Sequence, residues 1–145
     1  MRTDRCANPS PSQKWFGLSL QALVVLSRQE GISPSCDIAR RLQSEATLLR
    51  KIMAKLAKEN ILETREGRDG GYKLKKRAED LTLAEVYRAL EMEEAVCSGM
   101  RLTAGDHPLG EKLESAFNDI KDELDRKVLE VLGNYTIADL AAKME

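Results

Sequence analysis

Aromatic side chains make up only 4% of the 145 residues, and histidine occurs once. A chain this poor in rings must build its core from aliphatic side chains, which suits a mainly helical protein. There is no phosphate-loop motif and no Ser/His/Asp or paired-carboxylate constellation, so neither an enzyme nor a cofactor is expected. The three cysteines, Cys6, Cys36 and Cys97, are odd in number and lack the spacing of a disulfide framework, which points to a reduced cytoplasmic setting. No apolar run approaches the ~18–20 residues that cross a bilayer, and no signal-peptide pattern is visible, so no membrane partner is expected.

What the chain does have is charge, unevenly spread. The net charge is −1, yet residues 40–77 hold 12 Lys/Arg against 5 Asp/Glu, whereas residues 78–145 hold 7 against 16. A docking polyanion responds to the local field and not to the total. The 42% apolar share supports the core of one domain, with room for an appended dimerisation element.

The basic block has a pattern. Over Glu45–Glu59, Leu49, Ile52, Met53 and Leu56 fall on one side of a helical wheel, and Thr47, Arg50, Lys51, Ala54 and Lys58 on the other. Two short strands are expected next, Ile61–Glu66 and Tyr72–Lys76, joined by Gly67-Arg68-Asp69-Gly70-Gly71, whose glycines permit a hairpin tip. A cationic helix beside a basic β-ribbon is a surface shaped for double-stranded DNA.

Around this unit the chain reads as follows. Residues 1–12 form a polar tail, and Gln13–Gln29 an amphipathic helix that Gly31 ends. Ser33-Pro34 is expected to cap a short helix running to about Gln43, with Cys36 as a small packing residue, and Ser44 to cap the helix after it. Two short helices with a tight turn, the second basic, match a helix-turn-helix. Thr82 with Glu85 forms a capping box for a helix to about Glu91. Residues 92–107 lose periodicity and are expected to be a loop. Pro108–Leu132 is a long helix with Leu109, Leu113, Ala116 or Phe117, Ile120, Leu124, Val128 and Val131 along one seam. At ~37 Å it is longer than a small domain needs for its own core, so packing against a twin in a homodimer is preferred to packing along its own domain. Thr136 and Asp139 cap a last short helix, Ile137–Met144. The expected fold is mainly α with a small β-hairpin: a winged helix-turn-helix over 13–91, a linker over 92–107, and a dimerisation helix with its terminal helix over 108–145.

From Lys14 to the last helix this order resembles the IscR/NsrR/CymR family of winged-helix transcription regulators. The specific stretches are LAKENILETREGRDGGYKL (Leu56–Leu74) and LTLAEV (Leu81–Val86). The resemblance implies a homodimer that crosses long helices and reads a roughly palindromic operator. Two departures stand out. Family members with an iron–sulfur cluster carry three cysteines before the long helix; here AVCSGMRLTAGDHPLG holds only Cys97, with His107 as a single further ligand, so no metal is expected. A position after the first wing strand that is often Arg in the family is Glu66.

The DNA contacts expected are Ser44, Thr47, Arg50, Lys51 and Lys55 from the helix, and Arg65, Arg68, Lys73 and Lys75 from the ribbon. Arg50 suits guanine O6 and N7, Lys51 the same acceptors or a phosphate, and Thr47 a phosphate or a thymine methyl; Lys55 is expected to touch a phosphate or stay solvated, and the ribbon cations suit phosphates. Tyr72 is left out, since its ring can pack beside Leu74. Cys97 is the candidate sensor, but Glu93 and Glu94 should raise its pKa and disfavour a reactive thiolate, so an inert or buried cysteine is preferred to a thiol switch. The function expected is a sequence-specific repressor, responding to a redox or small-molecule signal. The competing function is a winged-helix protein-interaction adaptor without specific DNA readout.

Overall fold

Apolar spacing sets the helices, and their buried stripes set the packing. The computed structural model describes residues 11–105 and 107–144. Cys6 and most of the expected tail lie outside them. The elements in order are α1 (Pro11–Ser27), α2 (Ser35–Leu42), α3 (Ala46–Lys58), β1 (Leu62–Arg65), β2 (Gly71–Leu74), a single 3-10 turn (Ala78–Asp80), α4 (Leu83–Ala89), α5 (Ala95–Ala104), α6 (Pro108–Leu132) and α7 (Ile137–Ala142). This mainly helical chain with one antiparallel hairpin is a winged helix with a helical extension.

The core is aliphatic, as the shortage of rings requires. Leu23, Ile38, Leu49, Ile52, Met53, Leu56, Leu81, Val86 and Ile137 are among its fully buried residues, drawn from α1, α2, α3, α4, α7 and, for Leu81, the link before α4. Each such side chain stabilises the fold by ~1.5–3 kcal/mol relative to leaving it exposed. Phe16 and Tyr87 meet edge to face at 5.4 Å between centroids where α1 crosses α4.

The hairpin register pairs Leu62 with Leu74, Glu63 with Lys73, Thr64 with Tyr72 and Arg65 with Gly71. Alternation then puts Leu62, Tyr72 and Leu74 against the core and Glu63, Arg65 and Lys73 on the outer face. Ser33 pairs with Tyr72 through both backbone groups (2.8 and 2.9 Å), forming a one-residue third strand. The approach is close: a Cβ on Gly71 would lie 2.3 Å from the Ser33 carbonyl oxygen.

Several expectations are corrected. α1 begins within the expected tail, at Pro11, and Gly31, at φ +79°, lies four residues past its end. Ser33 does not cap α2; Pro34 occupies the N-cap without a side-chain bond, because Ser33 is committed to the ribbon edge and its hydroxyl to Gln29. Ser44 does not cap α3 either; Glu45 occupies that N-cap, without a side-chain cap bond. Cys36 is exposed, since Ile38 and Ala39 are the residues α2 turns inward. Most of the expected loop over 92–107 is helix α5, with Cys97, Met100 and Ala104 on its inner side and Gly99 on its open side. Their spacing of three and four is helical, but the exposed Val96 and Leu102 mask it.

The predicted capping boxes at Thr82/Glu85 and Thr136/Asp139 are both present. α6 has the expected bounds, Pro108–Leu132. Its N-terminal half packs against α5 and its C-terminal half against α4, while α7 returns to α1. Backbone bonds from Leu83 to Tyr135 and from Ile137 to Leu81, both 3.0 Å, fasten that return.

Candidate nucleic-acid interface

Helix α3 divides as its sequence requires. Leu49, Ile52, Met53 and Leu56 are each 0% exposed, and Thr47, Arg50, Lys51, Ala54 and Lys58 all face solvent. The turn from α2 is closed by the Ser44 amide donating to the Ala39 carbonyl at 3.0 Å, with Gln43 in the left-handed region at φ 54°. Burial of one face on the core thus fixes which side of α3 is offered outward.

Among the described residues, none supplies an ion pair or side-chain hydrogen bond to Arg50, Lys51, Arg65, Arg68 or Lys73. These cations retain their full donor capacity for an outside anion. Arg65 and Lys73 project from the same outer face of the ribbon, and Arg68 sits at its tip. The tip is tightly built: the Gly70 amide donates to Gly67 at 3.1 Å, and a Cβ on Gly70 would lie 2.1 Å from the Arg65 carbonyl oxygen. Glu66 is exposed beside them and lowers the local positive field.

The remaining expected contacts are placed differently. Ser44 keeps its hydroxyl shielded from solvent and without a hydrogen-bond partner among the described residues, so it is not presented with Thr47 and Arg50. Lys55 is half-buried at the flank of α3 and held by Glu91 at the end of α4; this contact raises the lysine pKa and lowers that of the carboxylate. Lys75 donates to the Asn60 side chain at 3.2 Å, and Lys76 is paired with Glu85. Tyr72 packs on the core beside Leu74.

At the base of the ribbon an open groove of about 610 Å³ has Arg28, Lys73, Lys75, Lys76, Arg77 and Glu79 in its lining. Arg28 comes from the end of α1, and its guanidinium donates to the Ala141 carbonyl at 3.4 Å. Nothing local in the sequence marks Arg28 for this groove, because it arrives through the packing of α1 on β2 and the Ser33–Tyr72 pairing.

Cys97 is 1% exposed at the α5–α6 contact. Burial pushes its thiol up, Asp125 and Glu93 add to that, and Lys121 opposes. Tyr87 is likewise pushed up, by burial and by donating to Glu94 at 2.8 Å. His107 is the N-cap of α6, with Nδ1 accepting from the Gly110 amide at 3.1 Å, so that lone pair is taken. Among the described residues no three His, Cys, Asp or Glu side chains gather as a metal site requires. This donor set does not fit an iron–sulfur cluster, which needs several thiolates.

Comparison with known proteins bears on this geometry. Residues 13–143 match the family described as Rrf2, iron-dependent transcriptional regulator. The chain is 27% identical over 130 residues to the HTH-type transcriptional regulator IscR of Photorhabdus laumondii, covering 84% of this chain and 77% of that one. Among solved structures, T. potens IscR superposes with a TM-score of 0.65 at 21% identity, covering 95% of this chain and 88% of that one. CymR, described as the global cysteine regulator of B. subtilis, gives 0.62 at 20% identity over 95% of this chain and 98% of that one. At these identities the two structures speak for the fold. No helix among the described residues is long and apolar enough to cross a membrane. With residues 13–143 matched, the chain belongs to the Rrf2 family, whose members are transcriptional regulators and not enzymes.

Proposed function

We propose that this regulator acts in the cytoplasm as a homodimeric repressor that reads a two-half-site operator. The observation that carries the reading is the set of cations on α3 and the ribbon that have no ion-pair or side-chain hydrogen-bond partner among the described residues. Arg50 offers a planar fork to guanine O6 and N7, Lys51 reaches the same edge or a phosphate, and Thr47 contacts a phosphate or a thymine methyl. Arg65, Arg68 and Lys73 hold the ribbon to phosphates and add affinity without sequence preference.

Dimerisation is supported by the arc of apolar residues on α6, which is wider than its own domain covers. Phe117, Leu124 and Val128 are half-buried, but Leu109, Leu113, Ile120 and Val131 are exposed at 62, 38, 45 and 55%. Val131 also lines an apolar groove of about 530 Å³ together with Phe16, Tyr87, Met92 and Leu132. A second α6 lying along this stripe would cover both, and the two copies would then space two α3 helices for successive major grooves. The segment 92–107, where Cys97 sits, lies between reading head and dimer helix and is the proposed input for a redox or small-molecule signal.

The test is selection of genomic fragments by the purified protein, followed by titration against salt. An operator with two related half-sites, bound more weakly as salt rises, is the expected result. Arg50→Ala with Lys51→Ala should relax sequence preference, whereas Arg68→Ala should weaken all sequences alike. Binding that ignores salt would favour a protein-interaction adaptor instead.

A further inference from the structure

Glu91 follows the last turn of α4 in the left-handed region, at φ 55°. Its amide donates to the Arg88 carbonyl at 3.0 Å and the Met92 amide to Tyr87 at 3.2 Å, closing the helix in the pattern where glycine usually sits. A side chain is disfavoured in that backbone state, yet the chain keeps a carboxylate there. That carboxylate reaches across to the Lys55 ammonium, with Glu59, the residue that follows α3, adding a further negative charge.

Lys55 has a particular place on α3. At about 100° per residue it stands roughly a quarter-turn from the middle of the exposed face formed by Thr47, Arg50, Lys51, Ala54 and Lys58. A helix ~10–12 Å across nearly fills a major groove ~12 Å wide. The centre of its face then meets base edges, and its flanks meet the phosphate walls. Lys55 occupies a wall position, and an anion is already bound to it.

We propose that Glu91 is an internal stand-in for a DNA phosphate. It holds Lys55 in the free protein and is displaced when a duplex docks, so it sets how strongly the regulator binds DNA irrespective of sequence. This rests on α3 being the groove-reading helix. Nothing in the exchange depends on the base sequence, because both rivals for Lys55 are simple anions.

The experiment measures binding of full-length protein to a selected operator and to a random duplex, by fluorescence anisotropy, between about 50 and 200 mM salt. Glu91→Gln is expected to tighten both by the same several-fold factor at low salt, a gain that shrinks as salt rises because salt screens the internal pair that wild type must break. Adding Lys55→Gln should erase the gain. Glu91→Gly, which also relieves the left-handed backbone, should reproduce it. Should Glu91→Gln misfold, the glycine variant alone decides. Unchanged or weaker binding by the charge-removing variants, with wild type still binding and still weakened by Arg50→Ala, overturns the proposal alone. Wild type that binds neither duplex overturns the reading of α3, and the proposal with it.

Discussion

A Cβ on Gly110 would lie 1.6 Å from the carbonyl oxygen of Ala104, so the end of α5 rests directly on the first turn of α6. Gly110 is buried although its neighbours Leu109 and Glu111 are exposed. The contact holds the segment around Cys97 against the long helix. Gly110→Ala should force the two helices apart and lower stability by about 1–3 kcal/mol, the usual range for overpacking. Urea denaturation against wild type measures it, and a change below a few tenths of a kcal/mol would show that α5 yields freely.

Ile120 lies midway along the uncovered stripe of α6 and is 45% exposed within one protomer. Replacing it with Glu therefore costs the isolated protomer little, but buries a charge if two α6 helices meet there. Ile120→Glu should convert a dimer to monomers in sedimentation velocity, with the helical circular dichroism retained. Affinity for a two-half-site operator should then fall far more than affinity for a single half-site. An unaltered sedimentation coefficient would remove α6 from the interface.

The Thr82/Glu85 box joins capping to electrostatics. Glu85 Oε2 accepts from the Thr82 amide at 3.0 Å, and its carboxylate also pairs with Lys76, which anchors the end of the ribbon to α4. Burial pulls the Glu85 pKa up, but Lys76 and the Thr82 groups outweigh it, leaving the carboxyl below its ordinary value of 4.5. A lowered carboxylate contributes stability that is present above the unfolded value and lost as pH falls through the folded one. Glu85→Gln, whose amide oxygen can still accept from the Thr82 amide, should therefore cost up to about 1 kcal/mol at pH 7 through loss of the charge that faces Lys76. Wild type and variant should converge as the pH drops below about 4. A gap that persists at low pH would assign the effect to packing.

Much of the fold that presents the candidate interface was legible because α3 and α6 carry strong helical spacing, and because Gly67 to Gly71 mark a hairpin tip between alternating strands. The two capping boxes are local and were read directly. What was missed depends on contacts between distant residues. Ser33 has the side chain of a cap, but its backbone is taken by Tyr72, 39 positions on. Lys55 has the look of a phosphate contact, and only the fold brings Glu91 to it. The ends of α2 and α3 were legible to within a residue, although Gln43 and Asn60 take the positive φ there that glycine usually supplies. In α5, Gly99 and the outward Val96 and Leu102 hid the inward series of Cys97, Met100 and Ala104.

Thiol chemistry separates a buried cysteine from an accessible one within the same molecule. Cys36 is exposed on α2, whereas Cys97 is enclosed between α5 and α6 with its pKa pushed up by burial and by Asp125 and Glu93. The thiolate is the reactive form, so both shielding and the raised pKa slow Cys97 at neutral pH. In a Cys6→Ser background, a chromogenic disulfide reagent at pH 7 should consume one thiol rapidly and the second much more slowly. Unfolding in urea should bring the two rates together. Cys36→Ser should abolish the fast phase and leave the slow one. Were Cys97 to react as quickly as Cys36 in the folded protein, α5 would have to open readily from α6, and a thiol signal at Cys97 would need no prior conformational step. With the slow phase observed, an oxidant can reach Cys97 only through such an opening, and the opening rate would then limit any thiol-based response of the regulator.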